Sequence, residues 1–420
     1  MLSFVLSIKL PYLKMSYLEY TLSNGLRIIL DQTQSKVAYC GYAINVGTRD
    51  ESETESGMAH FVEHLLFKGT KHRKAWHILN RMENVGGDLN AYTSKEETVV
   101  YSAFLVEHFN RAVDLLTDIV FHSTYPQEEL EKEIEVVCEE ISSYKDSPSE
   151  LIFDEFESLI FKNHPLGRDI LGDEQRLRAY QSEDVNRFTS RFYKSNNMVF
   201  FVRGNLSLKR VIDTVENFTK EIPSGEVPIH RITPDIIPAV KQVELKDTHQ
   251  AHVMIGSRAF HQFDKNRDAQ YLLNNILGGP GMNNKLNLSL REKQGLVYSV
   301  ESNISSYTDS ALFSIYFGTD PNDADRCIEL ALKELKLLRE NRLTSLKLSM
   351  AKKQLLGQIG VASDSSESMA LGMGKTFLHY KKCDSFERIY QKITSLTELD
   401  LLHVANEVFD ESKLFYLIYK

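Results

Sequence analysis

Five consecutive residues of this chain read His60-Phe61-Val62-Glu63-His64. On a helix, positions i and i+4 lie one turn apart on the same face, so the two imidazoles can share one tetrahedral Zn²⁺. Glu63, three residues after His60, falls beside them, where a carboxylate can act as general base toward a water. The order H-x-x-E-H inverts the H-E-x-x-H zinc pattern. Leu65, Leu66 and Phe67 provide an apolar run that seats such a helix in a core, and Gly69 suits the position past its end. Upstream, Arg49 to Ser56 is polar and rich in N-cap residues.

A catalytic zinc takes three protein ligands and keeps a fourth position for water. The best source of a third ligand is the acidic segment Glu128 to Ile141. At about 100° per residue, Leu130, Ile134, Val137 and Ile141 form one apolar stripe. Glu139 falls opposite that stripe and should be solvated. Glu133 and Glu140 lie two turns apart at its edge, with Val136 between them, and are the carboxylates placed to point inward.

With these residues in view, the chain resembles the pitrilysin/insulinase-type zinc peptidases, in particular the half-length branch that includes the mitochondrial processing peptidase. That family pairs H-x-x-E-H with a Glu ligand about 76 residues later and a further acidic residue seven positions before it. Here His64 and Glu140 are 76 positions apart, and Glu133 is seven before Glu140. The resemblance implies one Zn²⁺ per chain held by His60, His64 and Glu140, with Glu63 as general base. Glu133 would orient a ligand imidazole. Leu22 to Ile29 is similar to the family's opening hairpin, and Gly86 to Thr93 to the segment leading to a substrate-holding edge strand. That likeness implies substrate contacts at Asn90, Ala91, Tyr92 and Thr93. His164 to Gly172 and Asn197 to Asn205 match further family landmarks, and Leu290 to Tyr298 resembles a segment whose Arg and Tyr reach the active site. Arg291 and Tyr298 would then contact substrate or transition state.

Several elements must position these groups. Val37 to Val46 and Thr98 to Leu105 read as strands, and helices are predicted near 76–84, 107–121, 127–144 and 149–162. Met198 to Arg203 reads as a further strand. In the second half, strands are predicted at 252–257, 297–305, 310–317 and 414–419, with a helix near 266–277. At 420 residues the chain is too long for one ordinary core. Four prolines between Pro223 and Pro238 mark a linker. The expected division is an extension over 1–17, a zinc-binding domain over 18–222, the linker 223–240, and a second, related domain over 241–420. The fold class expected is α+β, each domain a mostly antiparallel sheet packed with helices.

Hydrophobic content of 42% and charged content of 25% fit an ordinary globular protein. A net charge of −9 disfavours nucleic acid as the main partner. Four scattered cysteines with no C-x-x-C pair are read as reduced thiols, and no stretch reaches transmembrane length. A cytoplasmic location is expected, with no membrane partner. The apolar first 14 residues are read as an over-long gene start, with Met15 as the alternative initiator. His249 and His252 make an H-x-x-H, but in a strand positions three apart face opposite ways, so a structural role is expected.

The function expected is a zinc-dependent endopeptidase acting on peptides or unfolded protein segments. The competing expectation is a non-catalytic partner or scaffold subunit of a processing-peptidase-like complex. In the family, half-length chains pair to enclose a chamber. With the zinc motif and the Arg291/Tyr298 segment in one chain, the resemblance implies a homodimer, a heterodimer being the alternative.

Overall fold

The computed structural model describes residues 17–246 and 248–420. The proposed extension and its alternative start therefore lie almost wholly outside the described residues. Two sheets organise the rest. The first contains β1 (Leu18–Thr21), β2 (Arg27–Gln32), β3 (Val37–Ile44), β4 (Asp88–Thr93), β5 (Thr98–Leu105) and β6 (Met198–Gly204), in the order β1-β2-β6-β3-β5-β4. The second contains β7 (Lys241–Glu244), β8 (Ala251–Arg258), β9 (Val297–Ser306), β10 (Ala311–Thr319) and β11 (Phe415–Tyr419), in the order β7-β11-β8-β10-β9. Each has one parallel pair, β2 with β6 and β7 with β11, and is otherwise antiparallel. From that parallel pair onward the two sheets share one topology. The result is an α+β fold of two sheet-and-helix units.

The helices are α1 (Met58–Leu65), α2 (Ala75–Glu83), α3 (Phe109–Phe121), α4 (Gln127–Lys145), α5 (Pro148–Ile160), α6 (Glu174–Leu177), α7 (Ser182–Phe192) and α8 (Leu208–Thr219) in the first half. In the second half they are α9 (Arg267–Gly278), α10 (Ala324–Glu340), α11 (Ser345–Ala362), α12 (Ser366–Tyr380), α13 (Phe386–Ser395) and α14 (Glu398–Val408). None is long and apolar enough to cross a membrane. The opening hairpin turns at Asn24-Gly25, where Gly25 takes a φ of +84° that a side chain would strain. Cys40, Cys138, Cys327 and Cys383 are all free thiols.

The central strands are apolar on both faces because both faces are covered. In the first sheet, Ile28, Leu30, Tyr42, Phe200 and Val202 pack against first-half helices. The alternate residues Ile29, Ala43, Val99, Val199 and Phe201 pack against Ala370, Met373, Phe377 and Leu378 of α12, which comes from the second half. The exchange is mutual: Ile152, Phe156 and Ile160 of α5 pack on Met254, Leu312, Phe415 and Leu417 of the second sheet. Small residues allow these crossings. A Cβ on Gly374 would lie 2.5 Å from the Phe201 ring, and one on Gly256 would lie 2.9 Å from Phe156. Chain order therefore separates the sheets at the irregular segment 221–240, while packing crosses it in both directions.

Polar groups seal the same junction. The buried Arg49 guanidinium bonds Glu96 at 2.6 Å, Asp309 at 2.7 Å and the Ile232 carbonyl at 2.7 Å. Arg231 bonds Asp50 at 2.8 Å, so the proline-rich segment is clamped at both residues. Glu97, the residue before β5, faces His379 at 3.0 Å and Lys375 at 2.5 Å, both on α12. Burial alone would raise the Glu97 pKa, but the hydrogen bonds and charge that His379 and Lys375 bring outweigh it and hold the carboxyl down at about 2, from an ordinary 4.5. A depressed carboxylate pKa stabilises the fold above the unfolded value and loses that contribution as pH falls toward the folded one. Glu97→Gln should therefore cost about 3 kcal/mol at neutral pH, as for removal of one partner from a buried pair. Urea denaturation of both proteins should show that gap narrowing as pH drops below about 4.5; a gap independent of pH would contradict the role given to Glu97.

Candidate metal centre

The motif helix is held first at its N-terminus. Gly57 precedes it at a φ of +82°, and a Cβ there would lie 2.6 Å from the Leu171 carbonyl. Glu51 accepts from the Gly57 N–H at 3.0 Å and the Ala59 N–H at 2.8 Å, satisfying donors that a helix start leaves unpaired. Phe61, Val62 and Leu65 are fully buried, a seat on the order of 2 kcal/mol per side chain. The opposite face carries His60 and His64, whose rings stand 4.7 Å apart at an interplanar angle of 67°.

Helix α4 packs across α1 and brings Glu140 to these rings. Glu140 Oε2 lies 3.5 Å from His64 Nε2 and 3.9 Å from His60 Nε2, and the three donor atoms fall within 4.8 Å of one another. Two turns back on α4, Glu133 Oε2 is 3.2 Å from His64 Nδ1, and Lys68 Nζ is 2.5 Å from Glu133 Oε1. A carboxylate accepts only, so Nδ1 carries a proton toward Glu133, and in the neutral His64 ring Nε2 is left bare for a metal. Burial raises the Glu133 carboxyl pKa, but His64 and Lys68 more than reverse that and hold it low. His64 is displaced upward: burial opposes its charge, and Glu133, Glu140 and Glu63 outweigh burial. His60, only 8% exposed, is pushed down to about 4 by burial and then by His64. A neutral His60, a bare His64 nitrogen and a carboxylate oxygen make an N₂O donor set suited to zinc. Tetrahedral bonds of about 2.0–2.2 Å separate ligands by roughly 3.4 Å, so the residues fit the ion with small adjustments.

Glu63 sits beside this group with the Thr93 hydroxyl donating to its Oε2 at 2.6 Å. Burial raises its pKa, with Thr93 and His64 acting against the rise and Glu140 with it. Thr93 ends β4, the edge strand of the first sheet, which pairs with β5 on one side and with no strand on the other among the described residues. Ala91 and Tyr92 alternate between the two faces of that sheet, while Asn90 is exposed. The helix α1 packs against β4, so an open strand edge borders the His60/His64/Glu140 group.

Glu139 is exposed, as the stripe on α4 predicts, and Val136 is exposed as well. Among the described residues, Arg291 and Tyr298 meet each other and not the His60/His64/Glu140 group. The Arg291 guanidinium lies 5.8 Å from the centre of the Tyr298 ring, and Tyr298 is 85% exposed on β9, the edge of the second sheet. His252 bonds the Tyr316 hydroxyl at 3.0 Å within the second sheet, a structural contact. Sequence reasoning missed three supports: Glu51 at the helix start, Lys68 on Glu133, and Thr93 as a partner of Glu63. Only Glu51 left a local trace, as an acidic residue in the cap-rich stretch.

Family models match both halves of the chain. Residues 27–174 match the model described as Insulinase (Peptidase family M16), and residues 179–355 match Peptidase M16 inactive domain. The chain is 32% identical over 400 residues to an uncharacterized zinc protease, YmxG, of Bacillus subtilis, covering 95% of this chain and 97% of that one. It is 31% identical to an uncharacterized zinc protease of Rickettsia bellii, covering 93% and 94%. In fold it is similar to a protease from Helicobacter pylori, with a TM-score of 0.89 at 23% identity over 96% of this chain and 99% of that one. A Pseudomonas fluorescens structure described as a peptidase M16 inactive domain also gives a TM-score of 0.89, at 19% identity over 96% and 97%.

The contact between Glu133 and His64 makes a prediction. Glu133→Gln keeps the shape but weakens the hold on the ligand imidazole, so zinc affinity should fall about 10–100-fold. Competition with a chromophoric chelator measures it, and unchanged affinity would remove Glu133 from the support of His64.

Proposed function

Because the chain belongs to the insulinase family of peptidases, family M16, we propose that it is a zinc-dependent endopeptidase acting on peptides or unstructured protein segments. One observation carries the reading: His60, His64 and Glu140 converge beside Glu63 at an open strand edge. An intact set of motif residues also favours it over a non-catalytic scaffold subunit.

Bound between His60, His64 and Glu140, zinc supplies Lewis acidity toward a water and toward a peptide carbonyl. The remaining tasks fall to the chain. Glu133, braced by Lys68, keeps the His64 proton on Nδ1 and the ring in place. The Thr93 hydroxyl fixes one oxygen of Glu63, and the Glu63 carboxylate accepts the water proton and delivers it to the leaving amine. The free backbone of β4 from Asn90 to Thr93 pairs with an extended substrate, reading main chain more than side chains. Such pairing requires an unstructured segment.

Glu63→Gln should retain zinc by metal analysis while turnover of a mixed peptide library, read by mass spectrometry, falls at least about 10²-fold. The wild-type protein should lose its cleavage products when a chelator is added. Substantial cleavage by Glu63→Gln would withdraw the base assignment, and cleavage that resists chelation would withdraw the metal.

Arg291 and Tyr298 enter this reading as substrate contacts supplied across a homodimer, with the second half of one copy facing the metal group of the other. The mutual contact of Arg291 and Tyr298 on the second sheet's edge and the exposure of Tyr298 support this arrangement. Mixing tests it directly. If Tyr298 acts in trans, Glu63→Gln and Tyr298→Ala protomers exchanged into mixed dimers rebuild one good site per heterodimer, about a quarter of wild-type activity overall. No recovery in mixtures shown by light scattering and mass tags to have exchanged would place Tyr298 in cis or outside the reaction.

A further inference from the structure

We propose that His72, Asp118 and His122 form a second divalent-metal site, built from the loop after the motif helix and the C-terminal end of α3. His122 follows Asp118 by four positions, so both lie on one side of the helix end. His72 arrives from the loop, and the rings of His72 and His122 stand 5.3 Å apart at 80°. Asp118 Oδ1 lies 3.5 Å from His122 Nδ1 and 3.9 Å from His72 Nε2, and the three donor atoms fall within 4.8 Å of one another.

The carboxylate shows what is missing. Asp118 is 3% exposed, and its Oδ2 accepts from the Thr70 hydroxyl at 2.7 Å and from Arg73 at 2.5 Å. Its Oδ1 is buried and has no hydrogen-bond partner among the described residues, nor has His122 Nδ1. A buried, unsatisfied carboxylate oxygen costs free energy unless something fills the place in front of it. A cation between the two imidazoles does so. Thr70 and Arg73 then serve as the outer contacts that orient a ligating carboxylate.

The frame is already closed. The Lys71 N–H donates to the His122 carbonyl at 2.9 Å, and the Thr124 N–H donates to the Gly69 carbonyl at 3.1 Å. Loop and helix end are thus tied by backbone before any ion arrives. Two imidazoles and one carboxylate select a borderline transition ion such as Zn²⁺ over Mg²⁺ or Ca²⁺, which prefer all-oxygen shells. His72, with its side chain 61% exposed, leaves the fourth position open to water. Occupation would pin the loop that carries Lys68, the residue bracing Glu133.

Equilibrium dialysis against a zinc-buffered series, followed by metal analysis, tests the site on full-length protein. Wild type should take up about one equivalent more than His72→Ala or His122→Ala, and His77→Ala, which removes an exposed imidazole outside the cluster, should match wild type. The exposure of His72 keeps its variant informative even where His122→Ala folds poorly. Because the readout is a difference between proteins, it stands apart from whether the His60/His64/Glu140 group takes metal. Equal uptake by wild type and His72→Ala, or equal loss in His77→Ala, would overturn the proposal.

Discussion

The structure of the site depends on one packing contact, α4 crossing α1. That contact brings carboxylates from 69 and 76 positions away against His64. Burying such groups is costly, and the cost is met only when every charge finds a partner. Lys68 answers Glu133, Glu133 answers His64, and His60 is left neutral by its surroundings. A pre-built cluster of this kind takes its desolvation during folding, so the three donor atoms stand within 4.8 Å of one another before any ion is bound. The hydrophobic stripe of α4 and the buried face of α1 supply the energy that holds the charged faces together.

The exchange of α5 and α12 gives the two halves a common core on the back of each sheet. Each sheet keeps its own helices on one face and borrows a helix on the other. The borrowed helices need close approach, which explains Gly256 and Gly374 at the crossings. They also need polar groups at the seam to be satisfied, which explains Arg49, Arg231 and Glu97. The halves are therefore coupled by apolar area and by buried ion pairs at once.

Topology also relates the two edges of interest. β4 ends the first sheet and β9 ends the second, and they occupy equivalent positions in the shared strand order. β4 carries Thr93 beside Glu63, while β9 carries the exposed Tyr298. A repeated unit has thus placed these two edges at equivalent ends of the two sheets in a single chain.

The local features were legible in the sequence. Spacing of four placed His60 and His64 on one helix face, the apolar stripe on α4 singled out Glu133 and Glu140, and the runs 37–46, 98–105 and 297–305 read correctly as strands. Such features depend on residues within a turn or two of one another, whose geometry the backbone repeats. The tertiary structure alone decided that Lys68 meets Glu133, that Thr93 meets Glu63, that α5 and α12 change partners, and that His72 reaches Asp118. Each joins segments far apart in the chain or depends on the angle at which two elements cross. No local periodicity encodes that angle; it is set by how the side chains of the whole core fill space.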